Sequence, residues 1–427
     1  MTVQRAISIF LVSLAFGPAA SAVTLDEAFQ SALLKNESIL QTHEKVEQAK
    51  EQYEQAKSTV YPNLSFNATH LIQPRPTNPT AREFFPEKQT TTNLTLTQPL
   101  FKGFREFAAL RQRKDLVGSQ QQERLMALLQ IYQQVATVYL NVLSYEQDLK
   151  NLNEQQALYG QRVKDLRGRS QRGESQATEV LTAQYTAASL DAETRMVEAQ
   201  LKTSRETFSF MTGLAVDSKL MDEEDTKSAN MTLGKLEDYL SRLELRPDIQ
   251  AAKQKAQALE EGVSIARGGH WPTLDAVGNY YFKRPDGFMS ELEWDVQLRL
   301  SMPIFEGGLK FSQTREALAK QREGDLELSK LRRQAAADIR ALHESLKMRA
   351  EQLAALKRSA DLAEKNVQVL QRESRRGLSK SLDVQMGLTE YRTVRRTYDQ
   401  ARYLARLDLI RLNSAAALLP ASIVKEN

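Results

Sequence analysis

Glu179 and Asp383 occupy the same place in a motif that the chain uses twice: Arg-Gly, five residues, then an acidic residue and Val. Arg172-Gly173 leads to Glu179-Val180, and Arg376-Gly377 leads to Asp383-Val384. A carboxylate just past a tight glycine turn suits the positive end of a helix that starts there. The four histidines, His43, His70, His270 and His343, are scattered and share no metal-ligand spacing. There is no cysteine, and no phosphate-binding glycine loop or nucleophile motif. No catalytic, cofactor-binding or metal-binding residue is expected, and the chain does not read as an enzyme.

The two motifs belong to a tandem duplication. Shifted by 204 residues, Pro99 falls on Pro303, Phe101 on Phe305, Gly103 on Gly307, Leu149 on Leu353 and Leu166 on Leu370. An earlier stretch repeats at an offset of 210, where Ile39 meets Ile249 and Tyr61-Pro62 meets Trp271-Pro272. Between the proline landmarks the first copy has 99 − 62 = 37 residues and the second 303 − 272 = 31. The copies therefore differ in length inside one short segment, as loops do while packed elements stay fixed.

Of 427 residues, 26% are charged and 7% aromatic, and the 18 Gly and 12 Pro cluster in a few places. Long tracts of helix formers remain between them, so an elongated helical protein is expected. The net charge of +4 is spread along the chain, without the basic patch of a nucleic-acid binder. Residues 1–22 read as a secretory signal: Arg5, an apolar run over 6–16, then Ala20-Ser21-Ala22. A membrane anchor is the alternative, though it needs about 20 apolar residues. No other segment is apolar enough for a transmembrane helix, so an exported chain of this kind enters a membrane only as strands.

Each copy reads as helix, strand pair, very long helix, turn, helix. The first repeat covers 23–213, with a helix over 24–60, a strand pair within 63–101, an outward helix over 104–167, a tip at 168–174 and a return helix to 211. A linker follows at 214–234. The second repeat covers 235–418, with a helix over 236–267, a strand pair within 273–305, an outward helix over 309–375, a tip near 375–379 and a return helix; 419–427 is a tail. In the strands the period is two: Trp294, Val296, Leu298, Leu300 and Met302 alternate with Asp295, Gln297, Arg299 and Ser301. Leu64, Phe66 and Ala68, Leu94 and Leu96, and Leu274 to Phe282 form matching faces.

Strands of about 10 residues are long enough to cross a bilayer when tilted. Phe101, Trp271, Trp294 and Phe305 sit near their ends, where a membrane barrel has its aromatic girdle. A soluble sheet with one wet face fits the alternation as well. Four strands cannot close a membrane barrel, since the smallest have about eight, and an open edge in lipid leaves backbone groups unsatisfied. The sheet must close between chains: two would give a narrow, filled barrel and three a twelve-stranded one with a lumen. That describes a conduit. The alternative from another class is a periplasmic coiled-coil scaffold or spacer, which the long helices alone would suit.

The stretch Leu245-Arg246-Pro247-Asp248-Ile249-Gln250-Ala251-Ala252, then Ser264-Ile265-Ala266-Arg267 and Trp271-Pro272-Thr273-Leu274, resembles the TolC-like outer-membrane efflux proteins. The segments Gln98 to Gly103 and Met302 to Gly307 and the two Arg-Gly turns match the same family, and the resemblance covers the mature chain. It implies a mainly α fold with a small β part: a homotrimer whose four strands per chain close a twelve-stranded barrel on a long α-helical tunnel. It also implies the outer membrane of a Gram-negative bacterium, with lipid around the barrel and a large periplasmic part. The expected partners are a periplasmic adaptor and an inner-membrane ABC or proton-driven transporter, in efflux or type I secretion. By that resemblance Arg172, Gly173, Arg376, Gly377 and Leu378 are tip residues that meet the adaptor. Asp383 becomes an aperture residue, with Glu179 its counterpart. Three copies of Asp383 around an axis would repel one another and attract cations. Met386 stands where some members have a second aspartate.

Overall fold

The computed structural model describes residues 22–74, 76–77, 87–222, 233–284, 290–418 and 423. The expected leader lies outside these apart from Ala22, as do 223–232 of the linker and most of the tail.

Two helices, α1 (Leu25–Lys35) and α2 (Glu37–Ser58), precede strands β1 (Asn63–Ile72) and β2 (Lys88–Phe101). The hairpin of α3 (Arg105–Gln171) and α4 (Ala177–Thr212) follows. The second copy runs α5 (Leu236–Leu240), a 3-10 turn (Leu243–Leu245), α6 (Pro247–Gly268), β3 (Thr273–Lys283), β4 (Trp294–Ser301), α7 (Leu309–Arg375) and α8 (Ser381–Ala415). Both outward helices, α3 and α7, have 67 residues. None of the described helices is long and apolar enough to cross a membrane.

Several boundaries differ from the sequence reading, each for a local reason. The single helix expected over 24–60 is broken at Asn36, which takes an extended conformation (ψ 116°). Its counterpart in the second copy breaks before Pro247, whose ring disfavours helical backbone in the residue before it. The helix α3 passes through Gly168 and ends at Gln171, four residues beyond expectation, and α4 starts at Ala177 rather than 174. Helix α1 opens on a capping box: the Glu27 N–H donates to Thr24 Oγ1 at 3.2 Å, and the Thr24 N–H donates to Glu27 Oε2 at 2.8 Å.

The Asn36 break has a tertiary purpose that appears twice. Asn36 Nδ2 donates to the Met211 carbonyl at 3.2 Å, and Arg246 Nη1 donates to the Ala415 carbonyl at 2.9 Å. These pairs are repeat equivalents, since 246 − 36 = 210 and 415 − 211 = 204. Beside them, Ser31 and Lys35 cap Thr212 and Gly213, while Arg242 caps Ala416 and Ala417. In each copy the entry segment thus satisfies the orphan carbonyls at the end of that copy's return helix.

The strands form one antiparallel sheet in the order β1-β2-β3-β4. The outer edges of β1 and β4 have no partner strand among the described residues.

The chain divides into two compact units, each drawing on both repeats. One comprises Met1–Asn36, Gln134–Thr232 and Arg349–Leu407; the other Glu37–Gln133, Leu233–Met348 and Asp408–Asn427. In the first, Leu152, Tyr159, Leu190 and Val197 form a core between the hairpin helices. There Tyr139 Oη donates to the carbonyls of Val23 and Met221, beside the bridge between Val23 and Leu220. In the second unit, Ile249, Leu328 and Ala335 form a core of their own.

Candidate functional site: membrane sheet and hairpin tips

The register of the sheet sorts its residues onto two chemically distinct faces. On one face Leu64, Leu96, Gly278 and Val296 align across the four strands, and Phe66, Leu94, Tyr280 and Trp294 form the next row. Leu298, two residues along β4, is 70% exposed, and Leu64, Phe66, Val296 and Leu300 are exposed too. A contiguous apolar sheet face of this kind marks contact with lipid or a partner.

The opposite face is a continuous polar ladder. Asn67 Nδ2 donates to Thr95 Oγ1 at 3.0 Å, Thr95 Oγ1 to Asn279 Oδ1 at 2.8 Å, and Asn279 Nδ2 to Asp295 Oδ1 at 2.9 Å. Arg284 closes the row on Asp295 Oδ2 at 2.9 Å and stacks over Tyr281. Period-two alternation announces a polar face, but which side chains link across strands depends on register.

The aromatics singled out by sequence fall at both ends of the sheet. Phe101 ends β2, and Trp271 and Phe305 lie just outside β3 and β4 at that same end, with Tyr61 before β1. Trp294 begins β4 at the opposite end, across from Tyr280. Phe101 meets Phe104 edge-on at 5.1 Å. Beyond it the chain turns at Gly103 (φ 68°), where an added Cβ would run into the Gly268 carbonyl oxygen.

The two tips share one backbone and differ in chemistry. Glu174 N–H donates to the Arg169 carbonyl at 2.9 Å and Leu378 N–H to the Glu373 carbonyl at 3.0 Å, with Gly173 (φ 77°) and Gly377 (φ 75°) in the left-handed conformation between. Both are Schellman-type ends. At the first tip Arg172 clasps Glu174 with two hydrogen bonds of 3.0 and 3.1 Å, and that contact holds the Glu174 carboxyl below its ordinary range. At the second tip Leu378 and Arg376 are exposed.

Glu179 and Asp383 both stand at the third residue of their helices. Glu179 accepts from the Ser175 hydroxyl at 2.6 Å, and Asp383 accepts from the Lys380 backbone N–H at 3.0 Å. Asp383 thus reaches the backbone just ahead of its helix, whereas Glu179 meets a side chain there. Met386 is exposed one turn on.

Residues that sequence reasoning missed join α8 to the first hairpin. Arg396 pairs with Asp148 at 2.8 Å and with Glu193, Asn151 donates to Asp399 at 3.0 Å, and Tyr159 bonds Thr389 at 3.0 Å. Asp222, at the near end of the linker, accepts from Tyr403 at 2.8 Å and from Arg406 at 2.6 Å; burial, with Asp222 second, raises the Tyr403 phenol. These partners lie up to 248 residues apart, so no local pattern announces them. The histidines stand apart: His70 bonds Thr90, His270 lies by Thr314, His343 donates to the Gly234 carbonyl, and His43 lies in α2.

A sequence model of the outer membrane efflux protein family matches residues 28–214 and 240–418, which is most of the chain and both repeats. The chain belongs to that family. This efflux protein is 21% identical to the outer membrane protein TolC of Vibrio cholerae over 294 residues, 67% of each chain. Its fold is similar to the VceC outer membrane protein of Vibrio cholerae, with a TM-score of 0.77 and 19% identity over 92% of this chain and 95% of that one. It is also similar to the open state of the MtrE outer membrane channel of Neisseria gonorrhoeae, with a TM-score of 0.75 and 16% identity over 92% and 88% of the two chains. The efflux protein is thus an outer-membrane exit channel with a large periplasmic part. The family is one of channel-forming proteins.

Proposed function

We propose that three copies of this chain close a twelve-stranded barrel in the outer membrane and a helical tunnel below it. The tunnel is a passive conduit, with no catalytic step, for substrates delivered by an inner-membrane ABC or proton-driven transporter through a periplasmic adaptor. The observation that carries this reading is the sheet, which among the described residues has four strands, one apolar exposed face, one polar face and two open edges. Such edges are not tolerated in lipid, and three sheets joined edge to edge remove them while leaving a polar lumen. Native mass spectrometry of detergent-purified protein tests it. A threefold assembly is expected; a stable monomer or dimer would overturn it.

In that assembly residues 1–22 are a removed leader, and 23–213 and 235–418 are two structural repeats joined by 214–234. The polar ladder lines the lumen, and Phe101, Trp271 and Phe305 girdle one membrane boundary while Trp294 girdles the other. The tips at Arg172-Gly173 and Arg376-Gly377-Leu378 meet the adaptor. Asp383 rings the periplasmic mouth, with Glu179 its counterpart in the first repeat. Close carboxylates around an axis favour cations, so Asp383→Ala should weaken block by multivalent cations and reduce cation selectivity in single-channel recordings. Unchanged block and selectivity would leave Asp383 as a helix-start residue alone.

A further inference from the structure

Two arginines one helical turn apart on α8 are treated differently by the fold. Arg396 is held by the carboxylates of Asp148 and Glu193. Arg392 is only 8% exposed, yet its buried Nη1 and Nη2 reach no acceptor among the described residues. Its guanidinium carbon lies 5.1 Å from the centre of the Tyr159 ring, which occupies one face of the group. Beside it opens a cavity of about 530 Å³ between α3, α4 and α8, lined also by Gln155, Thr186, Thr393 and Gln400. An always-charged group removed from water without a counter-charge is costly, and Arg396, one turn along α8, avoids that cost with two carboxylates. Among the described residues the cavity is lined by one carboxylate, Glu193, and Arg396 engages it.

We propose that this cavity is a binding site for a small oxyanion, a carboxylate or phosphate group held by Arg392. The planar guanidinium pairs two oxygens of such a group through its two Nη atoms, a geometry that chloride cannot match. The Gln155 and Gln400 amides supply further donors across the cavity. An occupied site would tie α8 to α3 and α4 through the anion, one turn from the Arg396 contacts with Asp148 and Glu193.

The test measures binding and does not depend on transport. The thermal midpoint of the detergent-solubilised full chain is followed against inorganic phosphate and against acetate, with chloride at matched ionic strength as reference. A saturable rise of about 2 °C or more is expected with one of the two; the more effective anion identifies the source as phosphate or carboxylate. Arg392→Met should abolish the rise and Arg392→Lys should keep part of it. If neither anion outperforms chloride, or if Arg392→Met retains the full rise, the proposal fails and the guanidinium is served by solvent or a neighbouring copy. Should Arg392→Met not assemble, crystals of the unaltered protein in selenate decide. An anomalous peak within about 4 Å of the guanidinium supports the site, and none there overturns it.

Discussion

At Gly377 the backbone sits at φ 75° and an added Cβ would meet nothing within 4 Å, so a substitution there strains only the backbone. Gly377→Ala should cost about 1–2 kcal/mol, read as a lower midpoint in chemical unfolding of the purified protein, with Gly377→Asn milder. Gly103 is different, because a side chain there would collide with Gly268 as well; Gly103→Ala should lower the midpoint further. At the first tip the Arg172 contact depresses the Glu174 carboxyl. A depressed folded value means the pairing is present above the ordinary carboxylate range and is lost as pH falls through the lowered one. Carboxyl NMR of Glu174 should show titration below an ordinary glutamate, and Arg172→Ala should return it to the ordinary range. The Arg-Gly motifs made the turns legible in sequence, since few residues other than glycine tolerate that conformation. Arg392 and Arg396 were not legible: both are arginines on one helix, and only distant carboxylates separate their environments.

Among the elements, strand β4 offers the sharpest contrast between adjacent positions. Leu298 points to the exposed apolar face and Gln297 to the polar one, its amide 3.4 Å from Asp295. Leu298→Arg should cost about 2–4 kcal/mol at mid-bilayer depth, whereas Gln297→Arg should be tolerated. The amount of assembled protein in the outer membrane checks both; equal tolerance would mean that the faces are reversed. The helix ends give a second contrast. Arg246 bridges Asp248 and the Ala415 carbonyl while largely buried, so Arg246→Ala should cost about 2–3 kcal/mol in unfolding experiments. Asn36→Ala, its neutral counterpart, should cost about 1 kcal/mol. Strands and long helices were readable from their periods of two and 3.6. The break at Asn36 was not, because the carbonyl that it serves lies 175 residues away.

For the whole molecule, the duplication and the four-strand count were the most legible features, since both follow from counting. The sequence also told that one face of the sheet is apolar; which rows align needed the register of β2 against β3, with its shift between Pro99 and Phe101. The trimer predicted above follows from the edges of β1 and β4, which have no partner strand among the described residues, and truncating either strand should therefore abolish assembly rather than shrink the barrel. Loss of the threefold species on native mass spectrometry would be the readout.

The matched caps at the ends of α4 and α8 also bear on the order of events at birth. A chain delivered across the inner membrane from its N-terminus exposes Ser31, Lys35 and Asn36 long before residues 211–213 emerge. Once they do, the first copy can fasten its own ends without waiting for any residue of the second. The sheet cannot do the same, because β2 must wait for β3. The helical hairpin is therefore free to form early and the four-stranded sheet late, so that the apolar face is completed only after the strands of the second repeat have emerged.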